Sequence, residues 1–282
     1  MKLVTWNVQW CCGLDGVVSP PRIVEVARAL ADFDVLCLQE ISVNYPGLQG
    51  NPGHDQPAVL RELLPGFQLF FGAAVDEFGF AGGRSQFGNL VATRLPVAQV
   101  QHHPLPYPAD PGVRSMPRMC TVLTVLDAVL GPVRVMTTHL EFYSSSQRKA
   151  QAGALRELHM QACAHAAAPS LPSDDGWPSR AKVHTPNAIL CGDFNFQAHD
   201  PEYARIAAPG AHGRLWDSWR LLHGEAPHPP TFRLYDRKYG PEPVACDFVF
   251  VSDGLKDKVR HFHIDNMTRA SDHQPLAVEL HP

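Results

Sequence analysis

Ile189-Leu190-Cys191-Gly192-Asp193-Phe194-Asn195-Phe196 decides the reading of this 282-residue chain. A short apolar run reaches a glycine, and a carboxylate and a carboxamide follow two residues apart. Such a run reads as a buried strand whose C-terminal end frees its side chains to meet a ligand. Alternation along an extended chain sends residues i and i+2 to the same side, so Asp193 and Asn195 can share one pocket. Their oxygens suit a hard cation such as Mg²⁺, or a water held for attack. Asp and Asn are also ordinary turn residues, so the stretch gains meaning only if the pattern recurs.

It recurs at other strand ends. An opening strand finishes at Asn7, a helix begins at Pro20-Pro21 with Ile23, Val24, Val26, Ala27 and Leu30 on its apolar face, and the strand over 34–38 leads to Glu40. This strand–helix–strand start brings Asn7 and Glu40 to one rim. Further along, strands are expected over 68–73, 89–93, 120–126, 133–138, 245–251, 259–264 and 275–280. The pair at 120–126 and 133–138 is joined as a hairpin and ends at His139. Asp247 lies in its own strand, and Asp272-His273 precedes the last one. Helices are expected near 57–64, over 144–168 with a serine cap, and near 201–208 and 216–223. Residues 76–86, 101–118 (five prolines), 169–186 and 227–243 read as loops. Each polar strand end has an ordinary structural explanation; six of them carrying acid, amide and imidazole chemistry point to one site.

Composition limits the rest. With 45% hydrophobic residues the chain can bury a large core, and no linker or internal repeat divides it, so one domain over 1–282 is expected. A net charge of −4 argues against a globally basic nucleic-acid or membrane binder, though not against a local basic rim. No apolar run is long enough to span a bilayer, and no leader pattern precedes the first strand. Seven cysteines, an odd number without a C-x-x-C pair, fit free core thiols in a reducing cytoplasm. No feature marks a protein partner.

Thr5-Trp6-Asn7, Leu38-Gln39-Glu40, Thr138-His139-Leu140, Gly192-Asp193-Phe194-Asn195 and Ser271-Asp272-His273, in this order, resemble the endonuclease/exonuclease/phosphatase (DNase I-like) superfamily of metal-dependent phosphoesterases. The resemblance spans nearly the whole chain. It implies a four-layer α/β sandwich, two packed mixed β-sheets flanked by helices with the site at one end. It implies Glu40 as the principal Mg²⁺ ligand, with Asn7 and Asp272 completing the oxygen shell and Mn²⁺ able to substitute. Asp193 is implied as the base for the attacking water and Asn195 as a donor to the phosphoryl oxygens. His273 paired with Asp247 is implied as the charge-stabilising imidazole, and His139 as a second phosphate donor.

The expected activity is Mg²⁺-dependent hydrolysis of a phosphodiester substrate, nuclease-like on DNA or RNA. A phosphomonoesterase acting on a metabolite or lipid headgroup, or an inactive phosphate-binding homologue, are the alternatives. The position two after Asn7 is Gln9, where abasic-site nucleases of this family carry an acid, while the motifs at 5–7, 192–193 and 271–273 also resemble the tyrosyl-DNA phosphodiesterase branch. Arg84, Arg114, Arg118, Arg148, Lys149, Arg233, Arg237 and Lys238, with Tyr107, Tyr143, Phe232, Tyr235 and Tyr239, are candidates for a basic, stacking groove.

Overall fold

The computed structural model describes residues 1–79, 83–171, 176, 178–210 and 213–281. Among them twelve strands form two six-stranded sheets. Strands β1 (Lys2–Asn7), β2 (Val35–Val43), β3 (Gln68–Phe78), β4 (Arg84–Thr93), β11 (Val259–Ile264) and β12 (Leu276–Leu280) make the first, in the order β11-β12-β1-β2-β4-β3. Strands β5 (Val97–Pro104), β6 (Met119–Asp127), β7 (Gly131–His139), β8 (Ala188–Asp193), β9 (Leu215–Asp217) and β10 (Asp247–Ser252) make the second, in the order β5-β6-β7-β8-β10-β9. Each sheet has one parallel pair near its centre, β1 with β2 and β7 with β8, and is otherwise antiparallel.

The layers follow from side-chain alternation. In β1 and β2, Leu3, Val35 and Cys37 face the second sheet, where Val133, Val135, Ile189, Cys191 and Val249 meet them. Their neighbours Val4, Leu36 and Leu38 face the other way, onto Ile23, Val24 and Ala27 of α1 (Pro20–Leu30) and Leu60 of α2 (Gln56–Leu63). On the outside of the second sheet, Met136, Leu190 and Phe250 pack on Ala152 and Leu155 of α3 (Ser145–Ala167) and on Tyr203 and Ile206 of α4 (Pro201–Ala207). A fifth helix, α5 (Ser218–His223), follows β9. Strands buried on both faces must be continuously apolar, which is why 35–38 and 189–191 read as unbroken hydrophobic runs. The result is the four-layer α/β sandwich expected from the resemblance.

Two loop expectations and the start of the helix expected near 216–223 are corrected. Residues 97–104 form edge strand β5, so the loop expected over 101–118 starts after Pro104. That strand is polar and half exposed, and carries no apolar stripe to announce it. Proline fits at its end because an edge strand can spare the missing donor. The segment 76–86 is largely the tip of the β3–β4 hairpin, pinned by Arg84 bonding Asp76 at 2.6 and 2.7 Å; residues 80–82 lie outside the described set. Residues 215–217 open the fifth helix's segment as the short strand β9. The loop expected over 169–186 is without helix or strand where described, with 172–175 and 177 outside that set.

Two backbone features aim the site. A bulge in β2 between Leu38 and Ile41 leaves Glu40 at φ +61°, a conformation uncommon for a side-chain-bearing residue, and turns its carboxylate toward the sheet ends. Gly192 sits at φ +136°, and a Cβ there would collide with the carbonyl oxygen of Thr138. Only glycine lets β8 approach β7 closely enough to set His139 beside Asp193 in register.

Candidate active site

The C-terminal ends of both parallel pairs converge at one edge of the sandwich. In the second sheet Asp193 is flanked in register by His139 of β7 and Asp247 of β10. From the first sheet, Asn7 donates through Nδ2 to Asp193 Oδ2 at 2.9 Å and to Glu40 Oε1 at 3.1 Å. Its side-chain Oδ1 accepts from the Gln9 backbone N–H at 3.1 Å. Asn7 is therefore a bridge between two carboxylates across the two sheets, with its oxygen already engaged. The 271–273 loop is tied to β1 by Trp6 Nε1 donating to the His273 carbonyl at 2.9 Å and Ser271 Oγ to the Asn7 carbonyl at 2.8 Å.

Asp193 is the hub. Its side chain is 1% exposed, and Oδ2 lies 3.4 Å from His139 Nε2 and 3.6 Å from His273 Nε2. Oδ1 accepts from the Asn195 backbone N–H at 2.9 Å. His273 Nδ1 is 2.9 Å from Asp247 Oδ2, which also accepts from Thr231 Oγ1 at 2.6 Å. Phe232 stacks on the His273 ring at 4.3 Å between centroids and 17° between planes, locking the imidazole in place. Asn195, at φ +52°, donates from Nδ2 to the Leu140 carbonyl at 2.9 Å.

Burial and charge divide the two imidazoles. Burial pulls His273 down, but the carboxylates of Asp247 and Asp193 outweigh it and hold the ring well above the ordinary histidine value, protonated at neutral pH. His139 is pushed well below it by burial, then by the charges of Arg118 and His273, and stays neutral. Burial is also the largest influence on the acids. Asp193 is pushed up to about 6, against the pull of His273, and Glu40 to about 7, with Asp272 adding to the burial effect. Asp272 is raised too, again chiefly by burial.

These groups line a cavity of ≈ 220 Å³ whose other walls are largely aromatic: Trp10, Phe142, Tyr143, Phe232 and Tyr239. Of the eight basic candidates, Arg114 and Arg118 reach it; Arg84, Arg148, Lys149, Arg233, Arg237 and Lys238 do not. Arg84 is spent on Asp76, and Arg148 on the carbonyls of Glu141 and Phe142. Arg118 is buried on Glu141 at 3.1 Å and retains Nη1 without a partner, while Arg114 lies over the Tyr143 ring. Glu141, Thr231 and Trp10 were not among the sequence candidates. Each acts through tertiary contacts that no local pattern marks.

A model of the Endonuclease/Exonuclease/phosphatase family matches residues 4–273. The chain belongs to that family. Members are hydrolytic phosphoesterases, generally dependent on a divalent metal. An endonuclease/exonuclease/phosphatase structure from Beutenbergia cavernae DSM 12333 superposes with a TM-score of 0.70 at 28% identity, covering 99% of this chain and 71% of its own. A mannosyl-6-phosphatase from Bacteroides thetaiotaomicron VPI-5482 is 18% identical with a TM-score of 0.65 and full coverage of both chains. The human Nocturnin catalytic domain, with bound sulfate, is 15% identical with a TM-score of 0.61, covering 100% and 94%. A search of curated proteins returns no match.

The family's divalent metal finds a fitting donor set here. Glu40, partly buried with 20% of its side chain exposed, and buried Asp272 are two carboxylates lining the same cavity, each raised toward its neutral form, and neither forms an ion pair with a described Lys or Arg. Paired carboxylates without a cation are poised for a hard one that keeps most of its waters. Asp193, Cys246, Asp247 and His273 also lie within 4.8 Å of one another. That set is softer, and its members already bond each other, with Cys246 Sγ on Asp247 Oδ2 at 3.6 Å and His273 on the same oxygen. It reads as a hydrogen-bonded acid–imidazole cluster, and Glu40 and Asp272 are the carboxylates that could hold a metal. No helix among the described residues is long and apolar enough to cross a membrane, and all seven cysteines are buried and unpaired.

Proposed function

We propose that this family member is a Mg²⁺-dependent phosphodiesterase, nuclease-like toward a DNA or RNA strand, with residues 1–282 acting as one domain in a reducing cytoplasm. The observation that carries the reading is Asp193 held between a neutral and a protonated imidazole, beside the uncompensated carboxylates Glu40 and Asp272.

Glu40 and Asp272 would hold the metal, with Asn7 fixing the Glu40 carboxylate. When bound, Mg²⁺ supplies positive charge against the phosphate and the departing oxygen. Asp193, pushed up to about 6, is matched to accept a proton from water near neutral pH. The water oxygen forms a bond to phosphorus as the opposite P–O bond breaks in line, and the departing alkoxide takes a proton from solvent. Protonated His273, oriented by Asp247, donates Nε2–H toward charge growing on the phosphoryl oxygens. Neutral His139 and the second N–H of Asn195 provide further donors. Arg118, on the cavity wall, adds positive charge beside the site.

The aromatic wall supports a substrate carrying a base or another flat group next to the scissile phosphate, since stacking contributes roughly 1–3 kcal/mol per base. With only Arg114 and Arg118 at the cavity, few backbone phosphates are gripped at once, which favours a short single-stranded end over a long duplex groove. A phosphomonoesterase is the second reading, supported by the small cavity volume. The discriminating experiment incubates the protein and Mg²⁺ with single- and double-stranded DNA, an RNA oligomer, bis-p-nitrophenyl phosphate and p-nitrophenyl phosphate. Cleavage of the single-stranded oligomers and the diester is expected. Turnover of the monoester alone would transfer the assignment to the phosphatase.

A further inference from the structure

A second polar cavity, of ≈ 290 Å³, lies outside the second sheet between strands β5–β7, the C-terminal half of α3 and residues 182–185. It shares no residue with the active-site cavity. Its floor is Arg134, which is 6% exposed. Arg134 occupies an outward position on β7, where its neighbour at i+2, Met136, belongs to the apolar helix–sheet packing. A guanidinium there is expensive unless paired. Among the described residues its Nη1 has no partner, and Nη2 reaches only the Met136 sulfur at 3.1 Å and the Leu158 carbonyl at 3.5 Å. Burial accordingly pulls its pKa down, opposed among the described residues by the thiols of Cys120 and Cys163.

The remaining walls add further nitrogen groups. His103 of β5, two strands from Arg134 and with its pKa lowered by burial and then by Arg134, forms one wall; His165 and His184 stack on each other at 5.2 Å, and Lys182 closes the rim. Thr124 adds a buried hydroxyl to the floor. No Asp or Glu among the described residues lines the cavity. Several cationic and neutral donors facing one space from different elements suit a tetrahedral anion better than a planar carboxylate, which would use the arginine fork alone. The volume is near the lower end for small-molecule sites, about 300 Å³ and upward, and exceeds what a bare anion needs.

We propose that this cavity is a phosphate-binding site, separate from the active site, that takes free phosphate or the phosphoryl group of a small metabolite on Arg134. Calorimetric titration of the wild type and Arg134→Met with inorganic phosphate, then with glucose 6-phosphate, tests it. Phosphate held at the active site contributes to both proteins and cancels in the difference. Arg134→Met is expected to weaken the component assigned to this cavity by about tenfold or more, the loss of one bidentate charge-assisted contact. Tighter binding of glucose 6-phosphate than of phosphate would assign a phosphorylated metabolite; equal or weaker binding would assign the free ion.

A purely structural arginine predicts different behaviour. In phosphate-free buffer Arg134→Met would then melt below the wild type, whereas here it melts no lower. Phosphate raises the wild-type Tm more than that of the variant. Equal phosphate responses in the two proteins, or none in the wild type, would overturn the proposal. If Arg134→Met does not fold, Arg134→Lys keeps the charge but loses the fork. Its phosphate affinity is expected to fall several-fold, and an unchanged affinity would overturn the site.

Discussion

Asp193→Asn is expected to lower kcat by roughly 10³-fold, within the range of removing a positioned general base, while the protein folds as before. Asparagine has the same shape, and its one carbonyl oxygen can still accept from either the Asn195 backbone N–H or Asn7 Nδ2. What it cannot do is accept a proton from water or sustain the charge between His139 and His273. Stability should hold or rise slightly, because Asp193 is a buried carboxylate that its surroundings push toward neutrality. Steady-state kinetics on bis-p-nitrophenyl phosphate, with thermal melts of both proteins, read the two effects separately. A variant that keeps wild-type turnover would remove Asp193 from the chemistry, and one that unfolds would make it structural.

Glu40→Gln should separate stability from function in the opposite sense. Glu40 is pushed up from 4.5 to about 7 in the metal-free fold, by burial first and then by Asp272. A carboxyl whose folded pKa exceeds its unfolded one contributes stability fully below the unfolded value, near 4.5. That contribution is lost as pH rises through 7. Metal-free wild type should therefore weaken between pH 4.5 and 8 by about 3 kcal/mol from this residue. Glu40→Gln should be more stable than wild type at pH 8 and show less of that slope. Saturating Mg²⁺ should reverse the order, stabilising the wild type through mass action and leaving the variant nearly unchanged. Urea unfolding at pH 5 and pH 8, with EDTA and with Mg²⁺, measures all four states. An equal Mg²⁺ response in both proteins would take Glu40 out of the metal site.

The site's location was legible because this fold spends its polar residues at strand ends. Between the two sheets and on both outer faces the central strands are mostly apolar, so Asn7, Glu40, His139, Asp193, Asp247 and His273 stand out at the points where burial on both faces ends. The parallel start, strand–helix–strand over the first forty residues, was legible for the same reason. Edge strand β5 was not, because a half-exposed strand paired only with β6 needs no hydrophobic stripe, and 97–104 carries two histidines, two glutamines and a proline. The hairpin tip of β3 and β4 was hidden by its glycines and by polar cross-strand pairs that act only once the strands meet.

Roles were harder to read than positions. Asn7 looks like an oxygen donor in sequence, yet its place between Glu40 and Asp193 makes it a hydrogen-bond donor to both, with its side-chain oxygen taken by Gln9. Thr231 and Phe232 lie in a proline-rich loop more than 40 residues before His273, and only the folded chain sets one on Asp247 and the other on the imidazole face. The basic groove thinned for a similar reason. Arginines that look available in the sequence are engaged by carbonyls and carboxylates that tertiary structure brings to them.

The central claim is that the edge where the two sheets' parallel pairs end is a metal-dependent phosphodiesterase centre. Its most direct test is the hydrolysis of bis-p-nitrophenyl phosphate by the purified wild-type protein after EDTA treatment, then after stepwise addition of Mg²⁺, with Mn²⁺ in parallel. Turnover absent in EDTA, restored saturably by either ion, and missing from Asp193→Asn under the same conditions is the expected result. Turnover that persists undiminished in EDTA, or that Asp193→Asn retains, would contradict the account.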